Sequence, residues 1–207
     1  MKLFNAILDL IIEIIEKNKI ISSLSLIFII WMFYPNSVTL GPGVKVLYPP
    51  TQTSSEVSNF EYKGYTIIPL YKMSLEAKIL SKNNYNDSTS DLVPLDLALG
   101  WQNMSDENVL ENISITQRGR WYYWSIPGFE NISRNEIETQ SSNWHIIPNS
   151  EELKDKIKSF KKGSIIYLEG YLVNFTGKQS RNSSTTRNDT GNGACEIMYV
   201  EDAYITE

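Results

Sequence analysis

The chain has 207 residues, 42% of them hydrophobic, 12% aromatic and 21% charged, enough for one globular domain plus an appendage and too apolar for a disordered chain. It carries 19 basic and 24 acidic side chains, a formal net charge of −5, one His and one Cys. These counts exclude a disulfide framework, a zinc site on paired cysteines and a multi-histidine metal site, and they oppose a phosphate-binding footprint. No metal, cofactor or nucleic-acid partner is therefore expected.

Residues 1–35 predict an amphipathic segment followed by a single transmembrane anchor. Asn5, Asp9, Glu13 and Glu16 form one polar stripe on a helix over 3–16, opposite Phe4, Ile7, Ile11 and Ile14. Residues 20–34 (IISSLSLIFIIWMFY) are uncharged, running from Ile20 through Leu26 and Ile30 to Trp31, Phe33 and Tyr34. At ~1.5 Å per residue they span ~22 Å of a ~30 Å hydrocarbon core. Snorkelling of Lys19 and an aromatic belt at the far end would make up the difference. A cleaved signal peptide is the rival, with a poor small-x-small site at Ser37–Thr39. Lys2, Lys17 and Lys19 precede the span and Lys45 is the first basic residue after it. The positive-inside rule then puts the N-terminus in the cytoplasm and the rest outside. The lipid bilayer is the first expected partner, and a second membrane or envelope protein is the other.

Residues 36–59, with Gly41-Pro42-Gly43 and Pro49-Pro50, read as a linker. Residues 60–207 read as a mostly-β (α+β) outer domain. A hairpin is expected about Lys63-Gly64. Met73, Leu75, Ala77 and Ile79 alternate with polar residues and predict a half-buried strand. Residues 92–100 (LVPLDLALG) read as one or two helical turns, and Ser105 as the cap of a short helix. Ile113–Gln117 and Trp121–Ser125 read as a hairpin around Arg118-Gly119-Arg120. Trp144–Ile147 is a short strand, and Asn149 with Glu152 opens a helix to about Phe160. Residues 164–175 are the strongest strand, with a bulge at Gly170. Residues 194–200 form the last. The sum is roughly six to eight short strands with two short helices, a small barrel or α+β domain.

The pattern G-x-I-I-x-L-x-G-x-L-V at Gly163–Val173, followed by a hairpin and D-T-G, resembles the opening strands of small bacterial OB-like β-barrels. More of the chain resembles a group of uncharacterised, membrane-anchored bacterial proteins. PLDLALGW (94–101), ISITQRGRWYYW (113–124), NWHIIP (143–148), GSIIYLEGYLV (163–173) and TRNDTGNGACEIMYVE (186–201) carry that likeness. It implies a bacterial origin and an anchored domain, and no particular activity.

His145 and Cys195 are the only imidazole and the only thiol. An anchored outer domain of this size with His before Cys resembles the sortase transpeptidases. That resemblance implies a thiolate attacking a peptide carbonyl, His as acid, and an Arg at the oxyanion. The T-L-x-T-C strand of that family is absent, and the candidate Arg187 precedes the Cys. The alternative is a small buried Cys195 and a structural His145. Base and nucleophile must come within ~3 Å, so their separation decides between the two. Asp189-Thr190-Gly191 matches the triplet of retroviral-type aspartic proteases, but polar flanks make it a turn. Trp121, Tyr122, Tyr123 and Trp124 place aromatics on both faces of one strand. With Arg118, Arg120 and Trp144 they make a candidate glycan- or peptide-binding surface around Trp121 and Tyr123. The favoured expectation is a non-catalytic binding or assembly module of the bacterial cell envelope. The alternative is a sortase-like thiol transpeptidase using His145 and Cys195.

Overall fold

A computed structural model describes residues 7, 11–13, 37–186 and 194–207. The chain divides into two units, 1–36 and 37–207. In the first, Ile7 and residues 11–13 are helical. No described helix is long and apolar enough to cross a membrane. The predicted span, with Ile20, Leu26, Ile30, Trp31, Phe33 and Tyr34, lies outside the described residues.

The second unit is mostly β. Strand β1 (Thr51–Ser54) and strand β2 (Phe60–Tyr62) both pair with β3 (Tyr65–Asn84), a strand of 20 residues. The β2–β3 turn is the expected Lys63-Gly64, where both residues have positive φ, the conformation of a two-residue hairpin. Met73, Leu75, Ala77 and Ile79 all point into the core, as their alternation predicts. Then come β4 (Leu95–Gly100), β5 (Ser114–Arg118), β6 (Trp121–Ser125), β7 (Ser141–Pro148), β8 (Ile165–Thr176) and β9 (Glu196–Ile205). β3 pairs with β8 along Thr66–Lys78 and with β4 along Lys78–Asn84. Through β4, β7, β9 and β8 the sheet comes back to β3, giving a ring-like sheet and not a closed barrel. β7 and β9 are parallel; the other neighbours in the ring are antiparallel. β5 and β6 form a separate two-stranded hairpin.

Three short α-helices, α1 (Glu107–Leu110), α2 (Arg134–Thr139) and α3 (Glu151–Ser159), and a 3-10 helix at Gln102–Ser105 complete the unit. Asp106 caps α1, not Ser105, whose hydroxyl instead accepts from the backbone of Lys45 and Val46. Ser150 caps α3, one residue after Asn149. α2 was not expected, although Ser133-x-x-Glu136 closes a full capping box.

Two expectations need correction. Residues 92–100 are not helical: β4 is a strand buried on every residue. A strand covered on both faces reads as a continuous apolar run, so its period is invisible. Leu95, Leu97 and Leu99 face the ring interior with Trp144 and Ile146, while Ala98 faces the outer side under α2 and the β5–β6 hairpin. Residues 37–59 are not a free linker either. Val46 is buried with Trp101 and Ile165, β1 joins the sheet, and Val38 donates to Lys162 O at 2.7 Å. Gly163 makes that last contact possible, because a Cβ there would sit 1.8 Å from Val38 O. The bulge at Gly170 stands as expected, with Tyr199 O 2.0 Å from where a Cβ would be.

Candidate functional site

The pleat of β4 and β7 decides what faces outward. Leu95, Leu97, Trp144 and Ile146 fill the interior, so Asp96 and His145, the residues between them, point to the other face. The two are direct partners in the antiparallel β4–β7 register. Cys195 stands just before β9, whose Ile197 pairs with His145 across the parallel β7–β9 register. Three neighbouring strands thus deliver a carboxylate, an imidazole and a thiol to one spot.

The three side chains stand side by side, and two of them, Asp96 and His145, are hydrogen-bonded. His145 Nδ1 lies 2.8 Å from Asp96 Oδ1. Cys195 lies near enough to act on the proton affinity of the ring, and the two side chains line the same cavity. With Nδ1 held by Asp96, Nε2 is the ring nitrogen left for a further partner. Asn143 Nδ2 approaches the same sulfur at 3.7 Å. Burial pushes the proton affinity of His145 down, but the hydrogen bonds and charges of Asp96 and Cys195 together push its pKa up to about 9. The imidazolium is therefore the resting form at neutral pH. An imidazolium near a thiol and oriented by a third group is the pattern of an activated thiol nucleophile.

Arg120 braces the relay from the β5–β6 turn. Gly119 and Arg120 both have positive φ, so the hairpin turns in two residues as its twist requires. Positive φ is costly for Arg, yet it aims the guanidinium inward, where it is almost fully buried. Its nitrogens reach Asp96 Oδ1 at 3.3 Å, both oxygens of Asp87 at 2.8 Å, and Val93 O at 2.9 Å. The group also lies 4.1 Å over the Tyr85 ring. Those hydrogen bonds hold the Asp87 carboxyl well below the usual range. Asp96 itself is fully buried, and its Oδ2 has no hydrogen-bond partner among the described residues. A buried carboxylate needs compensating charge, which Arg120 and the imidazolium supply.

The relay opens into a cavity of about 670 Å³ lined by Tyr85, Arg120, Trp121, His145, Arg181 and Cys195 among others. Cys195 is partly exposed there. Arg181 is exposed, its backbone pinned to Phe175 by paired hydrogen bonds, and its guanidinium has no partner among the described residues.

The predicted candidates separate into three places. His145, Cys195 and Arg120 come together in this site. Arg118, Trp121 and Tyr123 lie on the exposed face of the hairpin, with Arg118 5.6 Å from the Tyr123 ring centre, while Tyr122 and Trp124 pack inward. Trp144 is fully buried in the ring interior and cannot serve as a surface platform, because β7 turns it away from the hairpin side. Arg187 and the Asp189-Thr190-Gly191 triplet lie outside the described residues. Asp96, Asn143 and Arg181 were missed. The signal for Asp96 was present: a lone carboxylate inside LVPLDLALG must find a buried partner. Among the described residues no His, Cys, Asp and Glu cluster could hold a metal ion. Neither protein-family models nor curated proteins provide a match to this chain.

Proposed function

We propose that residues 37–207 form a cysteine-nucleophile acyl-transfer enzyme acting on peptide-like carbonyl substrates. The Cys195–His145–Asp96 relay at the mouth of the cavity carries this reading. The Cys195 thiolate attacks the carbonyl carbon, forming a C–S bond and a tetrahedral oxyanion. His145 Nε2 gives its proton to the leaving amine as the C–N bond breaks, leaving a thioester. His145 then takes a proton from water or an acceptor amine, which attacks the thioester as the C–S bond breaks and the Cys195 thiolate leaves. Asp96 fixes the tautomer throughout. Arg181, exposed in the cavity, is the cation placed to meet the oxyanion or a substrate carboxylate.

The ring order β3–β4–β7–β9–β8, with α3 between β7 and β8, supports an OB-like architecture. The uncharged run at 20–34 and the Lys bias before it support a single-pass anchor in the bacterial inner membrane with the domain outside. A second reading, a binding or assembly module of the cell envelope, draws support from Trp121 and Tyr123, exposed by 38% and 44% beside Arg118.

Intact-mass measurement after incubation with a panel of peptide thioesters tests the enzymatic reading. An acyl adduct on the chain, lost in Cys195→Ala and slowed in His145→Ala, is expected. No adduct with any thioester, or one formed equally well by His145→Ala, would sink it.

A further inference from the structure

The relay does not end at Asp96. Asp96 Oδ1 receives two donors, His145 Nδ1 at 2.8 Å and the Arg120 guanidinium at 3.3 Å. Arg120 is in turn gripped by Asp87, whose carboxylate is 43% exposed. A chain of alternating charge therefore runs from solvent to the thiol: Asp87, Arg120, Asp96, His145, Cys195. Nε, Nη1 and Nη2 of the guanidinium each make at least one of these contacts. Its backbone is equally committed, because Arg120 O accepts from Asn143 Nδ2, the group that also approaches the sulfur. The hydrogen bonds of its side chain thus go to Asp87, Ser90, Val93 and Asp96.

We propose that Arg120 is a positioning residue that acts on His145 through Asp96, taking up part of the charge that the carboxylate would otherwise deliver to the ring. This rests on the acyl-transfer reading, and it has a mechanistic purpose. A general acid works best with a pKa near the operating pH; burial lowers that of His145, but the carboxylate beside it carries it above that range. Sharing Asp96 between two cations leaves the imidazolium stable at rest and still able to release its proton. The charged and titratable groups facing His145 are Asp96 from β4, Cys195 before β9, Asp87 and Tyr85 from the β3–β4 connection, Arg120 from the hairpin, and Arg181 after β8.

His145 is the chain's only histidine, so its ring signals in NMR need no assignment. The full chain in detergent is titrated as wild type, Arg120→Gly, Arg120→Lys and Asp87→Asn. Glycine suits the positive φ of the turn, so Arg120→Gly removes the cation without straining the backbone. Its His145 titration is expected to move up by about one pH unit, and Arg120→Lys to return most of that shift. Asp87→Asn, an exposed change that leaves Arg120 to Asp96 alone, is expected to move it down. It decides the matter if Arg120→Gly fails to fold. An unmoved or lowered titration in folded Arg120→Gly, or an unmoved or raised one in Asp87→Asn, overturns the proposal. Iodoacetamide labelling of Cys195 in the same samples separates the two ideas. If His145→Ala labels as fast as wild type, the acyl-transfer reading fails, whatever the titration shows.

Discussion

Asp96→Asn perturbs the site with the least change of shape. The asparagine fills the same space in β4, but the charge that holds His145 protonated is gone. In the wild type His145 titrates at about 9, against 6.5 for an ordinary histidine. At about 1.36 kcal/mol per pH unit, that difference is on the order of 3 kcal/mol of folding free energy. The folded protein binds this proton more tightly than the unfolded chain does. The contribution is therefore complete below pH 6.5 and disappears as the pH rises through about 9. In Asp96→Asn burial, which disfavours the imidazolium, acts against Cys195 alone, and most of the contribution is lost at every pH. Urea denaturation of both proteins at intervals from pH 6 to 10 measures this. The gap in stability between wild type and variant should shrink by on the order of 3 kcal/mol over that range. A gap that stays constant, or widens toward high pH, would refute the coupling between Asp96 and His145.

Gly163→Ala should cost about 2–4 kcal/mol, since it adds a left-handed strain to a clash with Val38 O. Gly64→Ala, at a similar φ with open space around it, should cost only about 1 kcal/mol. Equal urea midpoints for the two would contradict the docking of residues 37–39 against the sheet. Trp144→Ala should destabilise by about 3–5 kcal/mol through the cavity it leaves in the ring interior. Trp121→Ala, at an exposed position, should stay within about 1 kcal/mol in the same assay. Similar losses for both would mean that the hairpin's outer face is part of the core.

Elements with a local signature were legible before any coordinates. The Lys63-Gly64 turn, the period-two run from Met73 to Ile79 and the hairpin around Gly119 each depend on a few neighbouring residues. β4 was not legible, because burial on both faces erases the alternation that marks a strand. Residues 37–59 were read as a linker from their Gly and Pro content. What ties them down, Val46 against Trp101 and Ile165, joins positions far apart in sequence. The site divides the same way. Cys195 and His145 stood out by rarity alone, and their meeting depends on the parallel β7–β9 pairing that no local pattern announces. Arg120 was noticed as one of two arginines at a turn. Its separation from Arg118 follows from the positive φ that turns its side chain to the buried side. Asp96 is the one charged residue in an otherwise apolar run. A carboxylate that survives in such a run is itself the clue.

The reactivity of Cys195 tests most directly whether His145 activates it. The chain has one cysteine, so the rate of iodoacetamide labelling, followed by mass, reports that sulfur alone. On the acyl-transfer reading, the wild type should label at least about tenfold faster at pH 6.5 than His145→Ala. Equal rates in the two folded proteins would contradict the relay and return Cys195 to the role of a packed, unreactive thiol.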